Sequence, residues 1–156
     1  MPDLPPHPNL RLLPPCTRLA LRSAHPTTPI NIAYVTPTHA ALHLGPDEWL
    51  LLGPATDTQT LLATATTKFA SVVDISHRQT AIELTGPHAK IALSAHVALD
   101  LDHFPPTSAT RTLLSKAEII LWHPTQNRYH IETARSFTPY VWQALTEALQ
   151  EFPNEG

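Results

Sequence analysis

Nine of the chain's seventeen prolines fall between Met1 and Pro37, at Pro2, Pro5, Pro6, Pro8, Pro14, Pro15, Pro26, Pro29 and Pro37. Each removes a backbone donor and pushes the residue before it toward extended conformations. No helix fits such a stretch, and most of it is barred from the interior of a sheet. One window escapes: Thr17 to Arg22, where Leu19 and Leu21 alternate with Arg18, Ala20 and Arg22, reads as a single edge strand. Residues 1–37 are expected to form an extended proline-rich arm, with a disordered tail as the alternative.

Regular structure is expected over 38–153 as one α/β plait domain, followed by a tail at 154–156. Ala40 to Leu44 and Glu48 to Gly53 flank the turn signal Gly45-Pro46-Asp47 and read as a hairpin. Thr56 or Asp57 caps a helix with Leu61, Leu62, Ala65 and Phe69 on one side, and its threonines make packing rather than propensity its support. Strands follow at Val72 to Ser76 and Gln79 to Thr85, then a short helix opened by Gly86-Pro87 and running to about Ala95. Further strands are expected at Thr110 to Leu114, Ala117 to Trp122 and Arg128 to Thr133. The last helix starts near Ser136 and buries Phe137, Val141, Leu145, Leu149 and Phe152. The fold class is α+β: an antiparallel or mixed sheet with helices on one side. Two β-β-α passes are the only hint of a repeat.

Composition narrows the function. A chain of 156 residues suits one domain, and its formal net charge of −3, with basic residues scattered, offers no stripe for nucleic acid. Four glycines, at Gly45, Gly53, Gly86 and Gly156, are too sparse for either glycine-rich phosphate fingerprint. The single Cys16 rules out an internal disulfide or a cysteine-rich metal centre held by this chain alone. With no apolar run near 18 residues, and no basic segment followed by an apolar one at the start, the expectation is a soluble, cytoplasmic chain without membrane association.

Asp74, Ser76 and His77 bring together the side chains of a nucleophilic triad, but alternation along a strand puts His77 on the face away from the other two. The structural alternative pairs Asp74 with Arg78 on one face. Among ten histidines, His39 and His43 share a face, and His123 and His130 are placed to face each other across a hairpin; neither pair has an acidic partner at matching spacing. No catalytic, cofactor-binding or metal-ligating residue is assigned.

Six stretches carry a resemblance. In order they are Leu44-Gly-Pro-Asp-Glu-Trp-Leu-Leu51, Val72-Val-Asp-Ile-Ser-His-Arg-Gln79, Leu84-Thr-Gly-Pro87, Arg111-Thr-Leu-Leu114, Lys116-Ala-Glu-Ile-Ile-Leu-Trp122 and Ala134-Arg-Ser-Phe137. Together they resemble the gamma subunits of heterotetrameric sarcosine oxidases, over about Leu44 to Phe152. That family resembles in turn the first, folate-binding domain of the glycine-cleavage T-protein (an aminomethyltransferase), through Asp74-x-Ser-His77 and Gly86-Pro87. Where the T-protein has a glycine pair and two acidic residues, this sequence reads Lys116-Ala-Glu-Ile-Ile-Leu, leaving Glu118 as the one acid. The resemblance implies an accessory, non-catalytic subunit of an assembly that oxidatively demethylates sarcosine to glycine. It places FAD, FMN, NAD and tetrahydrofolate on partner subunits and none on this chain. The alternative is a stand-alone folate-dependent one-carbon protein.

The strand from Ala117 is apolar on both sides, and Trp49 and Leu51 sit on the face opposite Leu50 and Leu52. Trp49, Leu51, Ile120 and Trp122 are therefore the candidate contacts for another subunit, on a sheet face turned away from the helices. A second sheet, or the proline-rich arm folding back, is the competing cover.

Overall fold

The computed structural model describes residues 3–23, 39–67 and 69–152. Nine strands run through them: β1 (Leu10–Leu12), β2 (Cys16–Arg22), β3 (Ala40–His43), β4 (Glu48–Pro54), β5 (Ser71–Asp74), β6 (Gln79–Thr85), β7 (Ala109–Leu114), β8 (Ala117–Thr125) and β9 (Arg128–Ala134). Three α-helices join them: α1 (Thr58–Thr66), α2 (Ala89–Ser94) and α3 (Thr138–Gln150). The chain divides into two compact units, Pro14–Arg78 and a discontinuous one made of Met1–Leu13 with Gln79–Gly156.

In the continuous unit the strand order is β3-β4-β2-β5, every pairing antiparallel. Alternation places Leu19, Leu21, Trp49, Leu51 and Val72 on one face, where they pack with Ala65, Leu61 and Leu62 of α1. Gly53 permits the approach of that helix, since a Cβ there would stand 2.5 Å from Leu61 Cδ1. Within α1, Thr64 bonds the carbonyl of Thr60 at 2.9 Å and Thr66 that of Leu62. These threonines satisfy their hydroxyls on their own helix and leave the buried stripe to hold it.

The discontinuous unit has the order β1-β6-β9-β8-β7, again antiparallel throughout. Its core joins Ile82, Leu84, Ile119, Leu121 and Ile131 of the sheet to Leu93 of α2 and Val141, Leu145 and Leu149 of α3. Both helices lie on that one face. Gly86 enters α2 at φ 105, a conformation that glycine adopts without strain. Leu4 packs on this core, and Trp142 Nε1 donates to the carbonyl of Pro5 at 3.1 Å.

The two units share a plan. The sequence β8-β9-β6-β1 occupies the places of β3-β4-β2-β5, with β7 added outside. In each, the second hairpin strand ends in an extended residue, Pro54 (φ −57, ψ 143) or Ala134 (φ −59, ψ 140), and runs through a 3-10 turn into a helix. Each helix opens on a threonine whose hydroxyl meets one from the neighbouring strand: Thr17 with Thr58 and Thr80 with Thr138, both 2.5 Å between Oγ1 atoms. A hydroxyl both donates and accepts, so one pair of threonines closes the corner between strand and helix start. The hint of repeated β-β-α passes thus has a structural basis.

Several expectations are corrected. The strand at Thr17 to Arg22 is interior, paired with β4 on one side and β5 on the other. It is free to be so because no proline lies between Pro15 and Pro26. Leu10–Leu12 adds a second strand to the segment read as an arm, and the expected boundary at residue 37 lies outside the described residues. The α+β class and the antiparallel pairing hold, with two sheets in place of one. Phe137 is 43% exposed rather than buried, because the 3-10 turn precedes α3 and rotates Phe137 out of its apolar stripe.

Candidate interaction surfaces

The sheet face of the discontinuous unit turned away from α2 and α3 carries Ile120 and Trp122, as expected, but its neighbours are ionic. Register sets Ile120 beside Glu132 and Arg111, and Trp122 beside His130. Glu83 receives Arg11 at 2.8 Å and Arg128 at 2.6 Å. Arg111 pairs with Glu118 at 2.7 Å, and His130 donates from Nε2 to Glu132 at 2.7 Å. Ile120 is only 3% exposed and Glu132 is fully buried within this chain, so Ile120 has no surface left for another subunit; Trp122 is half-buried.

Trp49 and Leu51 lie on the other kind of face. They pack into the cluster under α1, with the His43 ring stacked on Trp49 at 4.2 Å. The expectation that they stand opposite the helices is overturned. The hairpin alternates as expected, but Leu50 and Leu52 are on the face away from α1.

Strand β5 ends at Asp74, and residues 76–78 form a turn, so strand alternation does not extend to Ser76 and Arg78. Asp74 Oδ1 accepts from the Ser76 backbone N–H at 2.9 Å and from its hydroxyl at 2.5 Å. The Ser76 hydroxyl and then its backbone N–H hold the Asp74 carboxyl below the usual carboxylate range. Ser76 Oγ also accepts the N–H of Arg18 at 2.9 Å. The serine hydroxyl is committed to capping a turn, and the expected pairing of Asp74 with Arg78 is replaced by the bond to Ser76.

His123 and His130 do not face each other. A register shift between Trp122 and Thr125, where Pro124 lacks a donor, leaves His130 against Trp122 at 5.4 Å between ring centroids. His123 stacks instead on Tyr129 at 4.4 Å and bonds through Nδ1 to the carbonyl of Phe104. His39 Nε2 lies 3.4 Å from Asp57 Oδ2. Among the described residues no group of three histidine, cysteine or acidic side chains converges as a metal site would require. Cys16 opens β2 and forms no disulfide, while Glu118 is exposed and paired with Arg111.

A groove of about 570 Å³ between α2 and α3 escaped the sequence reading. Ala92 and Ala148 form its buried base, Ile91 and Phe152 contribute apolar walls, and Glu147 of α3 stands four residues before Glu151, the residue that caps the end of that helix. His96 fixes its width. The Ala144 carbonyl only accepts, so His96 Nε2 donates to it at 3.1 Å and Nδ1 is left to accept from Ser115 Oγ at 2.9 Å. The available signal was the alanine spacing of Ala89, Ala92 and Ala95, which reads as plain helix until α3 is placed beside it.

Two antiparallel sheets, each with helices packed on one face, define an α+β chain. The model of the sarcosine oxidase gamma subunit family matches residues 19–151, and the chain belongs to that family. It is 32% identical to a sarcosine oxidase subunit gamma of Corynebacterium sp. (strain P-1) over 120 residues, 74% of this chain and 59% of that protein. To the subunit gamma of an Arthrobacter sp. it is 29% identical, over 72% of this chain and 58% of the relative. The chain thus spans just under three fifths of the length of these curated relatives. A chain from the solved heterotetrameric sarcosine oxidase of Corynebacterium sp. U-96, in complex with pyrrole 2-carboxylate, superposes with a TM-score of 0.77 at 25% identity, covering 92% of this chain and 84% of that one.

Proposed function

We propose that this chain serves as the gamma subunit of a heterotetrameric sarcosine oxidase, contributing contact surface while other subunits oxidatively demethylate sarcosine to glycine. The match to the gamma-subunit family over residues 19–151, which runs through both units, carries the reading. The residues that would have to hold a cofactor do not fit one. The start of α1 presents Asp57, an anion where a phosphate would need donors, and the start of α3 presents Thr138, already bonded to Thr80. Glu118, the one acid in the folate-related stretch, is paired with Arg111 at the surface. FAD, FMN, NAD and tetrahydrofolate therefore belong to the partner subunits in this reading, and no step is assigned to side chains of this chain.

Co-expression with the other subunits of its oxidase tests the reading. The complex is expected to purify with this chain in stoichiometric amount and to oxidise sarcosine, while the chain alone is colourless and inactive. Stoichiometric flavin on the isolated chain, or an active oxidase that never contains it, overturns the proposal. No described helix is long and apolar enough to cross a membrane, so a soluble purification is the starting point.

A further inference from the structure

We infer that the groove between α2 and α3 is a docking seat for a segment of another oxidase subunit that carries an apolar side chain beside a lysine or arginine; this rests on the assembly reading above. The groove is a feature of the fold rather than a gap between mobile helices, because His96 ties the end of α2 to the Ala144 carbonyl of α3 and to Ser115. Its base is small and apolar at Ala92 and Ala148. Beside that base Ile91 stands 51% exposed, a branched aliphatic side chain left in water on a six-residue helix. Apolar area of this kind gains from cover.

Charge complementarity specifies the cover. Glu147 and Glu151 are both exposed, lie on the same side of α3 by their four-residue spacing, and pair with no cation among the described residues. Glu147 accepts only from the neutral amide of Gln143, at 2.8 Å. The nearest ammonium on α2, Lys90, is engaged by Asp102 at 2.5 Å. An apolar slot with two uncompensated carboxylates on one wall favours an occupant whose cation reaches those carboxylates while its apolar part covers Ile91 and the alanines. A second copy of this chain offers less, since a groove meeting its own symmetry mate sets these same carboxylates near each other.

The experiment uses the full chain, tagged and co-expressed with the remaining subunits of its oxidase, and reads the retained subunits across a salt series. Wild type is expected to retain them and to lose retention as salt shortens the screening length from about 10 Å at 0.1 M to about 3 Å at 1 M. The double variant E147K/E151K, and separately Ile91→Glu, are expected to lower apparent affinity by about tenfold or more at low salt. E147Q/E151Q is expected to flatten the salt dependence. All three positions are exposed, so thermal midpoints of the isolated variants should stay within about 3 °C of wild type. Retention equal to wild type in all the variants overturns the groove as a seat while leaving the assembly reading intact. Failure of the wild type itself to retain any subunit overturns the assembly reading, and this occupant with it. An isolated chain that is dimeric in wild type and monomeric in E147K/E151K shows that a second copy fills the groove, which also overturns the inference.

Discussion

Trp142 Nε1 donates to the carbonyl of Pro5 across 137 positions of sequence, tying the N-terminal segment to the middle of α3. The indole is 4% exposed, so the bond is made where water competes little. Trp142→Phe should cost about 1 kcal/mol, the price of one hydrogen bond. Trp142→Ala should cost about 3–5 kcal/mol, because a cavity opens in the core as well. Urea melts give the magnitudes, and hydrogen exchange at Leu10–Leu12 should rise in both variants; unchanged protection there would show that β1 is held without this tie.

The paired threonines predict unequal energetics in the two units. Replacing either member of Thr80–Thr138 by valine keeps the shape and strands the partner hydroxyl, at about 1–2 kcal/mol, whereas in Thr17–Thr58 the remaining hydroxyl keeps a carbonyl acceptor, Pro54 for Thr17 and Ala55 for Thr58, and the loss should be smaller. The Thr80–Thr138 double replacement should recover part of that loss, giving a coupling near 1 kcal/mol in a double-mutant cycle, and the Thr17–Thr58 cycle a smaller one. Strict additivity within a pair would mean that the hydroxyls do not interact.

Asp74 gives a pH signature. Its carboxyl is held below the ordinary value when folded, chiefly by the Ser76 hydroxyl, so the stabilisation is complete above the unfolded pKa of about 4 and fades as pH falls through the folded value. Ser76→Ala should move the Asp74 carboxyl titration upward, toward its ordinary range. The stability gap between wild type and variant should be well under about 1 kcal/mol at neutral pH, because the carboxylate is exposed and screened by water, and should shrink in acid. NMR titration of Asp74 checks the first point and melts at several pH values the second; a gap that widens in acid contradicts the assignment.

Two strand substitutions separate core from surface on one sheet face. Ile120→Asp places a carboxylate beside fully buried Glu132 and should destabilise the isolated chain by more than about 3 kcal/mol. Leu113→Asp, on β7 and 55% exposed, should stay within about 0.5 kcal/mol. Thermal unfolding of the two variants decides the matter, and equal midpoints would place Ile120 at an open surface after all.

Local signals carried most of the fold. Gln79–Thr85 was delimited to the residue because its alternation is uninterrupted and a Gly-Pro pair follows it, and the Gly45-Pro46-Asp47 turn placed its hairpin. What local signals do not carry is the choice of partner. Whether Leu50 or Leu51 faces a helix depends on which side α1 crosses, and alternation is silent on that. Leu10–Leu12 was passed over because three residues among prolines have no periodicity, and only the pairing with Leu84, Glu83 and Ile82 makes them a strand. Ser76 was placed on β5 although the strand gives way to a turn once Asp74 finds donors two residues ahead. The groove between α2 and α3 is a property of two helices some fifty residues apart, visible from neither alone.

The borrowed strand imposes an order in time. The unit spanning Pro14–Arg78 is continuous, so all its strands are available as soon as that stretch has left the ribosome. The other unit holds β1 without a partner until β6 emerges, and the Pro5 carbonyl without its indole donor until α3 does. Leu4, Leu10 and Leu12 therefore wait for residues made much later before they are buried. For the whole length of synthesis between them, β1 is a closing strand that waits for the sheet edge it will cover.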